Sequence, residues 1–135
     1  NPHSLVEIYS SYGHYYTTVK NLKEAKKYYN LSLKIAFKEK FLKEYKNDLI
    51  SLSDIYLKEK NIDSALILLN LAQEISDSLS FNNERNINIV FSKLYRLKGD
   101  ANASLKFALI YKRRIHAKCK PIHCFRILLK QWNIF

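Results

Sequence analysis

The chain has 135 residues with 23 basic and 12 acidic side chains, and it contains only 2 Gly, 2 Pro and 2 Cys. This length predicts one domain that can bury a core. The shortage of Gly and Pro disfavours sheet proteins with many tight turns and most enzymes that bind phosphate in glycine-rich loops. The basic excess is local, because residues 101–135 carry eight basic side chains and no acidic one.

Taken in chain order, the apolar residues recur at helical spacing, and no stretch of useful length has the alternation of a strand. The sequence therefore predicts an all-α fold with helices near 4–19, 22–42, 44–59, 62–79, 84–98 and 101–118. Short polar breaks separate the helices of each pair, at Lys20-Asn21, Lys60-Asn61 and Gly99-Asp100. Asn21 and Glu24 have the spacing of a capping box, and Gly99-Asp100 is a helix stop followed by an N-cap.

The same pattern recurs every 39–40 residues. Each first helix has a small residue and a tyrosine three residues later, at Gly13 and Tyr16, Ser53 and Tyr56, and Ser92 and Tyr95. Each second helix has a small residue near its start, at Ala25, Ala65 and Ser104. A small residue lets the partner helix approach closely, and the tyrosine fills the space one turn away.

This pattern resembles the tetratricopeptide repeat, which runs from an aromatic residue through Leu-Gly and Tyr to Ala, Phe and Pro over 34 residues. The matching residues of the first unit are Tyr9, Tyr12, Gly13, Tyr16, Ala25, Tyr29 and Ser32. The longer period and the missing Pro look like a long-repeat variant from bacterial transcriptional regulators. The resemblance implies a right-handed α-solenoid of about three antiparallel helix pairs, plus a C-terminal capping or extra helix. It also implies a noncatalytic module that binds a protein or peptide.

We predict a repeat domain at 1–118, with units near 5–42, 45–80 and 84–118, followed by a basic amphipathic tail or capping helix at 119–135. The chain has no Met and begins almost at once with a helical pattern, so we expect a regulatory or sensory fragment of a larger protein. No signal peptide or membrane-spanning segment is recognisable, which predicts a cytoplasmic location. The sequence makes no prediction of the oligomeric state.

In the resembled family, the first helix of each unit lines the concave face. By register, the partner-binding residues are Glu7, Ser10, His14, Thr17, Asn47, Ile50, Asp54, Lys58, Asn86, Ile89, Lys93 and Arg96. This mixed polar groove would hold an extended or helical peptide. The alternative is a solvated face without a ligand, or one filled by other segments of the same protein.

The tail allows three interpretations. Its apolar residues fall on one helical face, at Phe125, Leu128, Leu129, Trp132 and Phe135. The first interpretation is a helix that caps the third unit or begins a fourth. The second is a basic amphipathic helix that lies on a membrane or on a partner. The third is weak nucleic-acid binding through a basic patch of Arg113, Arg114, Lys118 and Lys120.

No reaction site is recognisable, so we predict that the chain is not an enzyme and holds no cofactor. His116, Cys119, His123 and Cys124 lie close together, but their spacing fits no standard zinc site, and we predict no metal. The tyrosines of the first unit could stack on nucleic-acid bases. The repeat register instead favours core positions for Tyr9, Tyr12, Tyr16 and Tyr29.

Overall fold

The computed structural model describes the backbone of residues 1–78 and 85–115, and the side chains of 1–78 and 87–111. These residues form helices and contain no strand. The six helices are α1 (Pro2–Thr18), α2 (Leu22–Lys38), α3 (Leu42–Lys58), α4 (Ile62–Ser78), α5 (Arg85–Leu97) and α6 (Ala101–Ile115). The chain divides into two compact units, of which the first contains α1 to α4 and the second α5 and α6.

Three-residue turns space the helices of the first unit evenly along the chain. The helices α1 to α4 each have 17 residues, and successive helices begin 20 residues apart. The middle residue of each turn is a lysine in the left-handed region, with φ of 63° at Lys20, 60° at Lys40 and 59° at Lys60. Gly99 has the same role between α5 and α6, with φ of 82°. Because these tight turns reverse the chain, consecutive helices pack as antiparallel pairs, which confirms the predicted all-α repeat fold.

The predicted polar breaks supply helix caps. Asn21 and Asn61 each accept a hydrogen bond from a backbone N–H three residues later, both at 3.3 Å, and Asp100 does so at 3.0 Å. These bonds satisfy N–H groups that would otherwise lack a partner at the start of α2, α4 and α6.

The predicted end of the second helix is wrong. The helix was expected to reach residue 42, but α2 ends at Lys38 and a turn through Lys40 and Phe41 leads into α3. Phe41 occupies the N-cap position of α3 and makes no side-chain cap bond. This turn therefore lacks the Gly, Asn or Asp that marks the other three, and only its 20-residue distance from Lys20 and Lys60 indicates it.

Helices α1 and α2 approach most closely where Gly13 faces Tyr29. A Cβ atom added at Gly13 would lie 2.8 Å from three carbon atoms of the buried Tyr29 ring. The equivalent pairs in the next two repeats are Ser53 with Leu69 and Ser92 with Ala108. Of the three first-helix residues Gly13 is the smallest, and it faces Tyr29, the largest of the three second-helix residues. This close contact confirms the packing predicted from the small residues.

Stacked aromatic rings fill the space beside this contact. Tyr16 of α1 and Tyr28 of α2 have centroids 5.4 Å apart and an interplanar angle of 3°. Tyr95 and Phe107 repeat the arrangement between α5 and α6, at 5.5 Å and 2°. The same relation in two helix pairs shows that the tyrosine of the first helix packs as the repeat pattern predicts.

The four tyrosines assigned to the core differ in burial. Tyr29 is buried and packs with Ala25, Leu52 and Ile55, while Tyr9 and Tyr16 are half-buried. Tyr12 is 49% exposed, so its assignment to the core is wrong. Its ring still contacts Tyr28 of α2, with centroids 5.1 Å apart and an interplanar angle of 37°.

We predict that Gly13→Ala lowers the free energy of unfolding by about 1 kcal/mol. Overpacking against the buried Tyr29 ring costs roughly 1–3 kcal/mol, which exceeds the helix propensity gained with Ala, about 1 kcal/mol. In a Tyr29→Leu background, the same substitution should raise the free energy, because Leu leaves room for the methyl group. Urea unfolding of the four chains measures both effects, and an equal effect in the two backgrounds would contradict the packing.

We also predict that Lys40→Gly raises the free energy of unfolding by about 1 kcal/mol, because Gly adopts the left-handed conformation without a Cβ penalty. Lys34→Gly is the matched control. It removes an exposed lysine six residues earlier, inside α2, and should lower the free energy by about 1 kcal/mol. Thermal unfolding of both variants tests the turn, and destabilisation by Lys40→Gly would argue against its geometry.

Candidate groove on the first unit

A groove of about 550 Å³ opens on the first unit, where α1, the first turn, α2 and α3 meet. We call it the first-unit groove. Its lining residues are His14, Thr17, Thr18, Lys20, Leu22, Tyr29, Ser51, Asp54 and Lys58. The two first helices of consecutive pairs therefore supply opposite walls, with α2 between them.

Four of the predicted partner-binding residues line this groove. His14 and Thr17 come from α1, and Asp54 and Lys58 come from α3. The two pairs are about 40 positions apart in the chain, and the structure brings them to one cavity. Their role in binding a partner stays a prediction.

The other predicted residues of the first unit lie outside the groove. Glu7 and Asn47 are exposed, and Ser10 is half-buried and hydrogen-bonded within the unit. Ile50 is 6% exposed, so it offers little surface for a partner. The binding role of these residues stays a prediction.

The remaining predicted residues belong to α5 in the second unit. Ile89 and Lys93 are half-buried and Arg96 is exposed, while Asn86 falls in the first turn of the helix. Their binding role also stays a prediction.

Five groove residues were not predicted. They are Thr18, Lys20, Leu22, Tyr29 and Ser51. Tyr29 had been assigned to the core, and it both packs there and contributes to the groove wall. Thr18 ends α1, Lys20 lies in the turn and Leu22 begins α2. At these helix ends the repeat register does not predict the direction of a side chain.

The groove offers hydroxyl groups and two kinds of charge. The Thr17 and Thr18 hydroxyls donate to backbone carbonyls one turn earlier, at 2.8 and 3.0 Å, which leaves their oxygen lone pairs as acceptors. Lys58 Nζ lies 3.9 Å from Asp54 Oδ2. Burial raises the pKa of Tyr29, so its phenol is a neutral hydrogen-bonding group at physiological pH.

A buried polar network holds α1 and α3 in place around α2. Asp48 of α3 is 4% exposed, and its two carboxyl oxygens accept hydrogen bonds from Ser10 of α1 at 2.8 Å and Ser32 of α2 at 2.5 Å. The two serine oxygens are 3.0 Å apart. This Asp48 network joins three helices at one point, so it fixes the relative position of the two groove walls.

The pKa of Asp48 is raised from its ordinary value to about 6. Burial is the largest cause and the negative charge of Glu44 adds to it, while the hydrogen bonds from Ser32 and Ser10 act in the opposite direction. Compared with the unfolded chain, the folded state therefore favours the protonated carboxyl group of Asp48. A neutral carboxyl group can donate to one serine, whose hydroxyl can then turn towards the Val6 carbonyl oxygen at 3.3 Å.

We predict that the free energy of unfolding falls between about pH 4 and pH 6 by an amount on the order of 3 kcal/mol. The folded pKa of Asp48 lies above the unfolded one, so its contribution is present below pH 4 and is lost as the pH rises through 6. Asp48→Asn should remove this dependence and be the more stable protein at pH 7. Ser10→Ala should move the fall to higher pH, because one hydrogen bond to the charged form is lost. Parallel pH profiles for wild type and Asp48→Asn would contradict this account.

The other candidate sites lie at the edge of the described structure or beyond it. Arg113 and Arg114 fall in the last turn of α6, while Lys118, Lys120 and the His and Cys residues of the tail lie outside the described residues. Among the side chains that the structure describes, at 1–78 and 87–111, no group of His, Cys, Asp and Glu could hold a metal ion. No helix in these ranges has both the length and the hydropathy to cross a membrane.

Comparison with known proteins supports the repeat assignment. A model of the tetratricopeptide repeat family matches residues 6–39, which span most of α1 and all of α2. No curated protein and no solved structure gives a significant match. The matched segment contains the close contact of Gly13 with Tyr29 and the first wall of the groove. Residues 6–39 are a tetratricopeptide repeat.

Proposed function

We propose that the chain is a noncatalytic interaction module that binds a protein or peptide in the first-unit groove. The observation that carries the proposal is that His14, Thr17, Asp54 and Lys58 line one cavity of about 550 Å³. Tetratricopeptide repeats generally mediate protein–protein interaction, which supports a partner of this class.

The chemistry of the groove favours an extended peptide held by its backbone. The hydroxyl groups of Thr17 and Thr18 can accept from peptide N–H groups, and Lys58 can donate to a carbonyl or carboxylate oxygen. Tyr29 and Leu22 add apolar surface between these polar contacts. Such a mixture provides main-chain hydrogen bonds for affinity and small pockets for side-chain specificity.

The wider context follows from the resemblance of the sequence. We propose that this module is the regulatory or sensory part of a larger, cytoplasmic bacterial transcriptional regulator, with the repeat domain at 1–118 and a cap or tail at 119–135. The alternative is nucleic-acid or membrane-surface binding through the basic C-terminal segment. That segment lies mainly outside the described residues, and the geometry of 1–78 favours the groove.

Selection from a display library of random peptides on the full chain tests the proposal. Peptides recovered with the wild type should bind Lys58→Glu at least about tenfold more weakly, because the variant places two carboxylates one turn apart in the groove wall. Thr17→Val should also weaken binding, since it removes a hydroxyl group without a large change in volume. Fluorescence anisotropy of labelled peptides measures the affinities.

Lys43→Glu is the matched control. Lys43 is exposed on the same helix as Lys58 but does not line the groove, so the change of charge should leave peptide affinity within about twofold. Selected peptides that bind wild type and Lys58→Glu equally well would contradict the proposal. The same conclusion would follow if no peptide were enriched above background.

A further inference from the structure

An apolar stripe runs along the outer side of α1. Its residues are Leu5, Ile8, Tyr12, Tyr15 and the C-cap residue Val19. All five are between 42% and 57% exposed. With 3.6 residues per turn they fall within an arc of about 80° on the helix surface, on the side opposite the residues that face α3.

The repeat itself shows what such a face receives. Forty residues later, the equivalent positions of α3 are Tyr45, Asp48, Leu52, Ile55 and Glu59. Each of these residues contacts α2. The Tyr45 ring lies 5.7 Å from the Phe37 ring, Asp48 accepts a hydrogen bond from Ser32, and Glu59 forms an ion pair with Lys26 at 2.9 Å. Leu52 and Ile55 pack in one apolar core with Ala25 and Tyr29. The apolar stripe therefore occupies the face on which this fold packs a neighbouring antiparallel helix.

A helix like α2 would be a poor partner for the apolar stripe. On α3, the carboxylates of Asp48 and Glu59 match Ser32 and Lys26 of α2. On α1, the same two positions are Ile8 and Val19, which would leave a buried serine without its carboxylate partner and a half-buried lysine without its ion pair. The occupant must therefore be apolar along its whole contact line.

The apolar stripe can pack against the same stripe of a second copy of the chain. In an antiparallel pair of α1 helices centred on Tyr12, Leu5 lies opposite Val19 of the second copy, and Ile8 lies near its Tyr15. Tyr12 meets Tyr12 on the two-fold axis. An interface of this kind must be self-complementary, and this spacing of apolar residues meets that condition.

The charge distribution permits the contact. Helix α1 has no Lys or Arg and a single carboxylate, Glu7. Residues 1–78 carry 11 lysines and 10 acidic residues, a net charge of +1, although the whole chain has +11. Two first units can thus approach without strong repulsion. The lack of basic residues on α1 also makes it a poor match for an anionic membrane surface.

We propose that the apolar stripe of α1 is a homodimer interface, in which two copies of the chain pack their α1 helices antiparallel about a two-fold axis at Tyr12. The contact lies on the far side of α1 from the first-unit groove, so both grooves of the dimer remain open. The interface is distinct from the proposed peptide-binding function, and either can fail without the other.

Sedimentation equilibrium of the full chain, with Cys119 and Cys124 replaced by Ser, tests the proposal. The parent chain should form a dimer. Ile8→Lys and Tyr12→Lys should each weaken it about 100-fold, because each buries two uncompensated ammonium groups in the interface. Ile67→Lys is the matched control, since Ile67 is an exposed apolar residue on α4, away from the apolar stripe, and this variant should dimerise like the parent. Circular dichroism verifies that each variant is folded.

The two-fold geometry has a test of its own. An equimolar mixture of Tyr12→Lys and Tyr12→Glu should associate more tightly than either variant alone, because opposite charges then meet on the axis. In the chain without native cysteines, Tyr12→Cys should oxidise to a covalent dimer, whereas Asn70→Cys, at an exposed position on α4, should not. A monomeric parent chain, a dimer that persists in Ile8→Lys, or the absence of pairing in the mixture would each overturn the proposal.

Discussion

The first unit depends on a fixed distance of 20 residues from the start of one helix to the start of the next. Seventeen helical residues and a three-residue turn bring every second helix back to the same direction with the same face towards its neighbour. Because of this spacing, residues 40 positions apart become neighbours with equivalent roles. Both the first-unit groove and the apolar stripe follow from it, as opposite sides of the same helix α1.

The Asp48 network adds specific hydrogen bonds that fix the relative position of α1, α2 and α3. Hydrophobic burial has no direction of its own, whereas a carboxyl group hydrogen-bonded to both Ser10 and Ser32 requires one arrangement of the three helices. The buried carboxyl group costs stability when it is charged, so the same residue that defines the geometry also makes the unit sensitive to pH. In α4, Ala72 occupies the position that Ser32 occupies in α2, so this hydrogen-bond network is confined to the contact of α1 and α2 with α3.

The sequence predicted the features that recur with the repeat, namely the helices and their close contacts. Helical spacing gave six helices, and the small residue at Gly13 indicated a close approach that the Tyr29 ring confirms. The turn at Lys40 was missed because a lysine with positive φ carries no compositional signal. The Asp48 network was missed because serine and aspartate look like surface residues until three helices are placed around them. The four groove residues from α1 and α3 follow from register, whereas those at the first turn depend on backbone geometry that no period describes.

The unequal distribution of aromatic residues gives the chain two separate optical signals. Eight of the ten tyrosines fall in residues 1–78, where several surround Tyr28 in fixed ring contacts, whereas the single tryptophan, Trp132, belongs to the tail. Rings held in such chiral arrangements give near-ultraviolet circular dichroism that disappears when the packing is lost. Tyrosine ellipticity therefore reports mainly on the first unit and tryptophan emission on the tail, so the two parts can be followed in one unlabelled sample.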